Sequence, residues 1–119
     1  MQKRIHLCLA HMSGNEMKFI QDAFNTNWVV PLGPNVNGFE QDLDRFLRDS
    51  HPELAQKRTV ALSSGTAAIH LALVALGVQP GDEVLCQSFT FCASAHPVTY
   101  VGATPVFIDS EQNSWNIDP

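Results

Sequence analysis

From Thr59 onward the chain alternates short apolar runs with helical patterns, and that alternation restricts the fold more than any other feature. Thr59-Val60-Ala61-Leu62, Glu83-Val84-Leu85-Cys86 and Pro105-Val106-Phe107-Ile108 are short and apolar, as buried strands are. Between them, residues 66–76 are helical in composition and apolar nearly all round, and residues 90–100 read as a short helix despite Pro97. The order strand, helix, strand, helix, strand predicts an α/β fold with a parallel sheet, right-handed crossovers and ligand sites beyond the carboxyl ends of the strands. Residues 63–66 and 87–91 stand at two such ends. Gly77 suits the left-handed position closing the first helix, and Pro80-Gly81-Asp82 makes the turn into the second strand. A helix so uniformly apolar expects cover on most sides; left bare, it should drive association.

The preceding residues read as two amphipathic helices. Ser13-Gly14-Asn15-Glu16 has capping-box spacing, and Met17, Ile20 and Phe24 then recur at helical intervals up to about Asn25. Val36, Phe39, Leu43, Phe46 and Leu47 form the second stripe, with Glu40, Asp42, Asp44, Arg45 and Arg48 on the remaining surface. The connector Asn27-Trp28-Val29-Val30-Pro31-Leu32-Gly33-Pro34 cannot continue a helix, and it is too apolar for a merely solvated loop. Residues 49–58 read as a polar connector. The predicted division is therefore residues 1–58, helical with a packed loop, and residues 59–119, an incomplete α/β core.

A chain of 119 residues with 45% hydrophobic and 16% charged residues has the composition of a globular core-builder. A net charge of -5 with dispersed Lys and Arg argues against nucleic-acid binding. Cys8, Cys86 and Cys92 show neither paired metal-ligand spacing nor a disulfide framework, which predicts free thiols in a reducing compartment, the cytoplasm. No apolar run approaches the ~20 residues of a membrane helix. Three strands make a small sheet, and Asn116-Ile117-Asp118-Pro119 reads as the start of a further element, so the chain reads as part of a longer protein.

The junction Leu62-Ser63-Ser64-Gly65-Thr66-Ala67-Ala68-Ile69-His70 is the candidate site. A helix start presents backbone N–H groups without intrahelical acceptors and a positive dipole end, which together suit an anion. It lacks the three spaced glycines of a dinucleotide fingerprint and the Gly-Lys-Ser/Thr step of a Walker loop. Locally a phosphate seat and a plain strand-to-helix turn both remain open; the position at a strand end favours the seat. Phe89 and Phe91 could stack on a flat heterocycle or belong to the core. Trp28 could anchor its loop or border a cleft. His70 reads as a packed histidine, and Cys86 and Cys92 as inert small apolar residues. His96 and Asp109 have no spacing that identifies a triad or a metal set.

Several blocks, in order, carry a family signature. Ser64-Gly65-Thr66-Ala67-Ala68-Ile69-His70-Leu71-Ala72-Leu73, Gly77, Pro80-Gly81-Asp82-Glu83-Val84, Phe89-Thr90-Phe91, Gly102-Ala103-Thr104-Pro105-Val106-Phe107 and Asn116-Ile117-Asp118-Pro119 resemble the N-terminal part of the DegT/DnrJ/EryC1/StrS aminotransferases. Those are pyridoxal-phosphate enzymes of fold type I acting on nucleotide-linked keto-sugars. His11-Met12-Ser13-Gly14-Asn15-Glu16 and the stretch from Asn27-Trp28 to Gly33-Pro34 are most similar to the branch serving exopolysaccharide, capsule and protein-glycan synthesis.

The resemblance implies that the cofactor phosphate sits on the backbone N–H groups of Gly65, Thr66 and Ala67, with Phe91 stacked on the pyridine ring. It implies that Asn27, Trp28 and Val29 line a sugar-nucleotide site, either the chain's own or that of a partner subunit in a homodimer. It also implies transfer of an amino group, from glutamate as donor, to a nucleotide-linked 4-keto-6-deoxy-sugar. The family's Schiff-base lysine lies much further along, and Lys3, Lys18 and Lys57 do not occupy that motif. The 119 residues alone are therefore expected to be inactive, and no catalytic residue is nominated. Two alternatives stand beside this: a binding or oligomerisation remnant that keeps the phosphate cradle, and a relative lacking the lysine that acts as a sugar dehydratase.

Overall fold

The computed structural model describes residues 4, 8 and 10–119. They form helices α1 (Glu16–Asn25), α2 (Pro34–Ser50), α3 (Gly65–Ala75) and α4 (His96–Tyr100), and strands β1 (Glu83–Gln87) and β2 (Thr104–Ile108). Single 3₁₀ turns occupy Pro52–Leu54 and Cys92–Ser94. The backbone divides into two compact units, the first ending at Ala61 and the second running Leu62–Pro119.

In the first unit, α1 starts two residues later than a capping box would put it. Gly14 has φ 95°, outside the helical region, so Asn15 is the residue preceding the helix. Half of the capping exchange survives: the Ser13 and Gly14 N–H groups donate to the Glu16 carboxylate at 2.6 and 2.9 Å. Those bonds, after one from Glu16's own backbone, hold its pKa down at about 2. The Ser13 hydroxyl instead accepts from the Asn15 N–H at 3.3 Å. At the other end Asn27 adopts φ 59°, its N–H reaches the Phe24 carbonyl at 3.3 Å, and the Trp28 N–H reaches Ala23 at 2.8 Å. That is a Schellman closure, with asparagine taking the left-handed position that glycine usually fills.

The run 59–62 forms no strand, which departs from the first predicted strand. Two of its backbone donors are taken by carboxylates of the first unit. Asp44 accepts from the Thr59 N–H at 2.7 Å, and Glu40 accepts from the Ala61 N–H at 2.8 Å. Both carboxylates stand four residues apart on α2, hence on one helical face. Thr59, side chain first and backbone second, holds the Asp44 carboxyl below its ordinary range, with Arg58 and Arg48 adding to the effect.

The second unit contains the other two predicted strands, paired in parallel in the register Glu83 with Thr104 through Gln87 with Ile108. α4 lies in the connection between them. The predicted helix 90–100 is interrupted: a 3₁₀ turn at Cys92–Ser94 comes first, and α4 begins at His96 with Pro97 in its first turn, where the missing N–H costs no helical bond. α3 and α4 end in the same way as α1. Gly77 and Gly102 take φ 76° and 77°, and the N–H groups of Val78 and Ala103 return to Leu73 and Val98, each at 3.1 Å.

These closures build the core. Leu73, Cys86, Ala95, Val98 and Ala103 form the buried cluster, with Val78, Val84 and Val101 packed on it. Each helix terminator thus places the residue after its glycine against the residue five positions earlier. α3 is covered on that side only: Leu73 is buried while Leu71, Val74 and Leu76 are exposed, because α4 and the turn before it are the elements packed on α3. Cys86 is buried as expected, whereas Cys92 is exposed; all three cysteines are free. His70 is half-buried with its ring edge-on to Tyr100 at 5.5 Å. No helix among the described residues is long and apolar enough to cross a membrane.

Candidate functional site

The site grows from the start of α3. Ser64 is extended (φ -165°, ψ 163°), and its hydroxyl accepts the Ala67 N–H at 3.1 Å while its carbonyl accepts the Ala68 N–H at 3.1 Å. This is the side-chain cap that serine supplies at a helix start. Two donors of the first turn remain. Among the described residues no group accepts from the Gly65 or Thr66 N–H. The helix therefore opens with two orphan donors and the positive end of its dipole.

The space beside those donors is free. A Cβ placed on Gly65 would meet nothing within 4 Å. A cleft of about 400 Å³, lined by Ser64, Gly65, Thr66, Ile69, Phe91 and Ser94 among others, lies there. None of its lining residues is acidic, so nothing competes electrostatically with an anion. Phe91 enters from the segment after β1, in extended conformation just before the 3₁₀ turn, with 75% of its surface exposed. A hydrogen bond of 2.9 Å between the Thr90 and Ser94 hydroxyls closes that segment.

The structure thus brings Gly65, Thr66 and Phe91 to one cleft although 26 positions separate Gly65 from Phe91. Ala67 does not line it, and its N–H is engaged by Ser64. Ser64 was legible as a cap, since serine directly before a helical pattern is its usual signal. Ser94 carried no such signal. Asn27, Trp28 and Val29 belong to the first unit. Asn27 terminates α1, while Trp28 and Val29 border an apolar groove with Ile20, Phe24 and Val30. Trp28 is 48% exposed and lies against Gly33, where an added Cβ would come within 2.9 Å of the indole.

At the carboxyl end of the sheet, Gln87 Nε2 donates to the Ser110 hydroxyl at 2.7 Å and to the Trp115 carbonyl. Phe89, read as a core residue or a stacking surface, is exposed and packs at 5.4 Å on the Trp115 ring. Glu111, in the same loop, is held below the ordinary carboxylate range by Ser114 first and then Asn113.

The second unit is thus an α/β unit in which the capped helix α3, preceding the parallel β1–α4–β2 segment, leaves two backbone donors open beside an exposed aromatic ring. The sequence profile of the DegT/DnrJ/EryC1/StrS aminotransferase family matches residues 10–119, and the chain belongs to that family. It is 51% identical over its whole length to EpsN of Bacillus subtilis, which is assigned as a pyridoxal phosphate-dependent aminotransferase, and spans 29% of it. It is 37% identical over 97% of its length to the GDP-perosamine synthase of Caulobacter vibrioides, again spanning 29%. Among solved structures, Spr1654 of Streptococcus pneumoniae, assigned as a sugar aminotransferase and solved in its PMP form, superposes with a TM-score of 0.69 at 34% identity. That match covers 91% of this chain and 25% of the other.

Proposed function

We propose that these residues are the N-terminal part of a pyridoxal-phosphate-dependent aminotransferase that transfers an amino group from glutamate to a nucleotide-linked 4-keto-6-deoxy-sugar in surface polysaccharide or glycan synthesis. The observation that carries this reading is the pair of orphan N–H groups at Gly65 and Thr66 opening on the cleft that also holds Phe91. Family membership and the names of the relatives support the reaction class.

The residues present fit the cofactor's phosphate end. Gly65 and Thr66 donate to phosphate oxygens, each bond to a charged group contributing roughly 1.5–3 kcal/mol, and the absence of a Cβ at Gly65 lets the anion approach the backbone. Ser64 keeps the first turn of α3 in place by holding the Ala67 N–H, which gives Ala67 a supporting role. Phe91 covers one face of the pyridine ring and excludes water from it. The bound cofactor supplies the electron sink that makes amino-group exchange possible. Trp28 and Val29 contribute an apolar wall for the sugar nucleotide, at a partner subunit's site in a homodimer, and Asn27 fixes the bend that presents them. The three free thiols support a cytoplasmic location.

Gly65→Pro tests the seat. Ser64 is already extended, as a residue before proline must be, and proline is favoured at the first helical position, so the variant deletes one donor without breaking α3. In the full-length protein its affinity for pyridoxal phosphate should fall roughly ten-fold or more, with helix content unchanged. Wild-type affinity in this variant, or no change in cofactor absorbance when glutamate is added to the wild type, refutes the proposal.

A further inference from the structure

We infer that Thr90 is a positioning residue for Phe91, whose ring it holds at the cleft through a hydroxyl clamp to Ser94. The inference rests on the reading of Phe91 as the cover of the pyridine ring. Thr90, Phe91, Ser94 and the start of α3 all belong to the second unit. The Thr90 and Ser94 hydroxyls share a hydrogen bond of 2.9 Å, and the Ser94 N–H donates to the Phe91 carbonyl at 2.9 Å. Phe91 therefore sits inside a closed loop, tied once through side chains and once through the main chain.

Both ends of that loop are rooted. On one side the Ser88 N–H donates to the Ile108 carbonyl at 2.8 Å, extending the β1–β2 pairing by one bond. On the other side Ala95 belongs to the buried cluster. Between these roots the Phe91 ring is exposed and pairs with no other aromatic ring among the described residues, so it takes its place from its backbone. Any freedom left in the loop must be lost when the ring docks on a ligand, and ordering on binding weakens affinity. The clamp removes part of that freedom beforehand. Ser94 lines the cleft with Phe91, whereas Thr90 does not, so Thr90 acts through these two neighbours and not by touching the ligand.

The experiment measures equilibrium binding of pyridoxamine phosphate and of inorganic phosphate to the full-length protein. Thr90→Val deletes the hydroxyl at nearly constant shape, Thr90→Ser keeps it, and Phe91→Ala removes the ring. Loss of one hydrogen bond between neutral groups bounds the effect: Thr90→Val should weaken pyridoxamine phosphate roughly three- to ten-fold. Thr90→Ser should restore most of that affinity. Inorganic phosphate, which needs only the Gly65 and Thr66 donors, should bind the variants as it binds the wild type. In the Phe91→Ala background Thr90→Val should cost nothing further, because the clamp then has no ring to place. Equal weakening of both ligands by Thr90→Val, an undiminished effect without the Phe91 ring, or unchanged affinity each overturns the inference. Should Thr90→Val fail to fold, Ser94→Ala deletes the other hydroxyl and is read by the same criteria. Wild-type affinity for pyridoxamine phosphate in Phe91→Ala alone sinks the stacking reading, and this inference with it; failure of the wild type to bind inorganic phosphate strikes the anion seat instead, while the dependence of Thr90→Val on Phe91 still reports the clamp.

Discussion

Gly77 and Gly102 offer a matched pair for separating backbone strain from steric overlap. Both occupy the left-handed position of a Schellman closure, with φ 76° and 77°. They differ in what a methyl group would meet: nothing within 4 Å at Gly77, but Pro80 Cγ at 2.8 Å at Gly102. Left-handed backbone costs an L-residue roughly 1–2 kcal/mol, so Gly77→Ala should destabilise the chain by about that much. Gly102→Ala carries the same term plus overlap with a ring that cannot rotate aside, and overpacking adds roughly 1–3 kcal/mol. The expected total is about 2–5 kcal/mol. Urea unfolding of both variants, followed by far-UV circular dichroism, reads the difference. A double-mutant cycle with Pro80→Ala then isolates the overlap, which should vanish in that background while the backbone term remains. Equal destabilisation of the two alanine variants, or a cycle with no coupling to Pro80, refutes the reasoning.

Ser64→Ala removes the cap of α3 and should cost about 1 kcal/mol, measured by unfolding of the chain. Replacing Asn27 with alanine should destabilise the end of α1, whereas Asn27→Gly should be neutral or stabilising, because glycine adopts φ 59° freely; thermal melts of the two variants should move apart. The Glu16 carboxyl is held at about 2, below its ordinary 4.5, so its bonds favour the folded start of α1 fully above about pH 4.5 and are lost as the pH falls through about 2. The Ser13 and Gly14 amide resonances should titrate with that low midpoint, and Glu16→Gln should abolish the transition.

Much of the fold was legible in local pattern. The apolar stripes of α1 and α2, the apolar runs at β1 and β2, and Gly77 before a turn are decided within a few residues, because periodicity and backbone sterics are local properties. The ordered blocks from Ser64 to Pro119 likewise carried family membership, since they record a sequence rather than a shape. Tertiary structure decided the rest. Thr59-Val60-Ala61-Leu62 has the composition of a buried strand, yet Asp44 and Glu40 take the Thr59 and Ala61 N–H groups, and the identity of an acceptor about 20 residues away is not written in the run itself. That the Ser64 hydroxyl accepts the Ala67 N–H, leaving those of Gly65 and Thr66 open, depends on which rotamer closes the cap. Phe91 lines one cleft with Gly65 and Thr66 only because the chain folds it beside them. The sequence by itself determined most of the elements, the family and the donors that a helix start must leave open. Only the tertiary structure decided which of those donors stay free, because that depends on every acceptor the fold brings within reach.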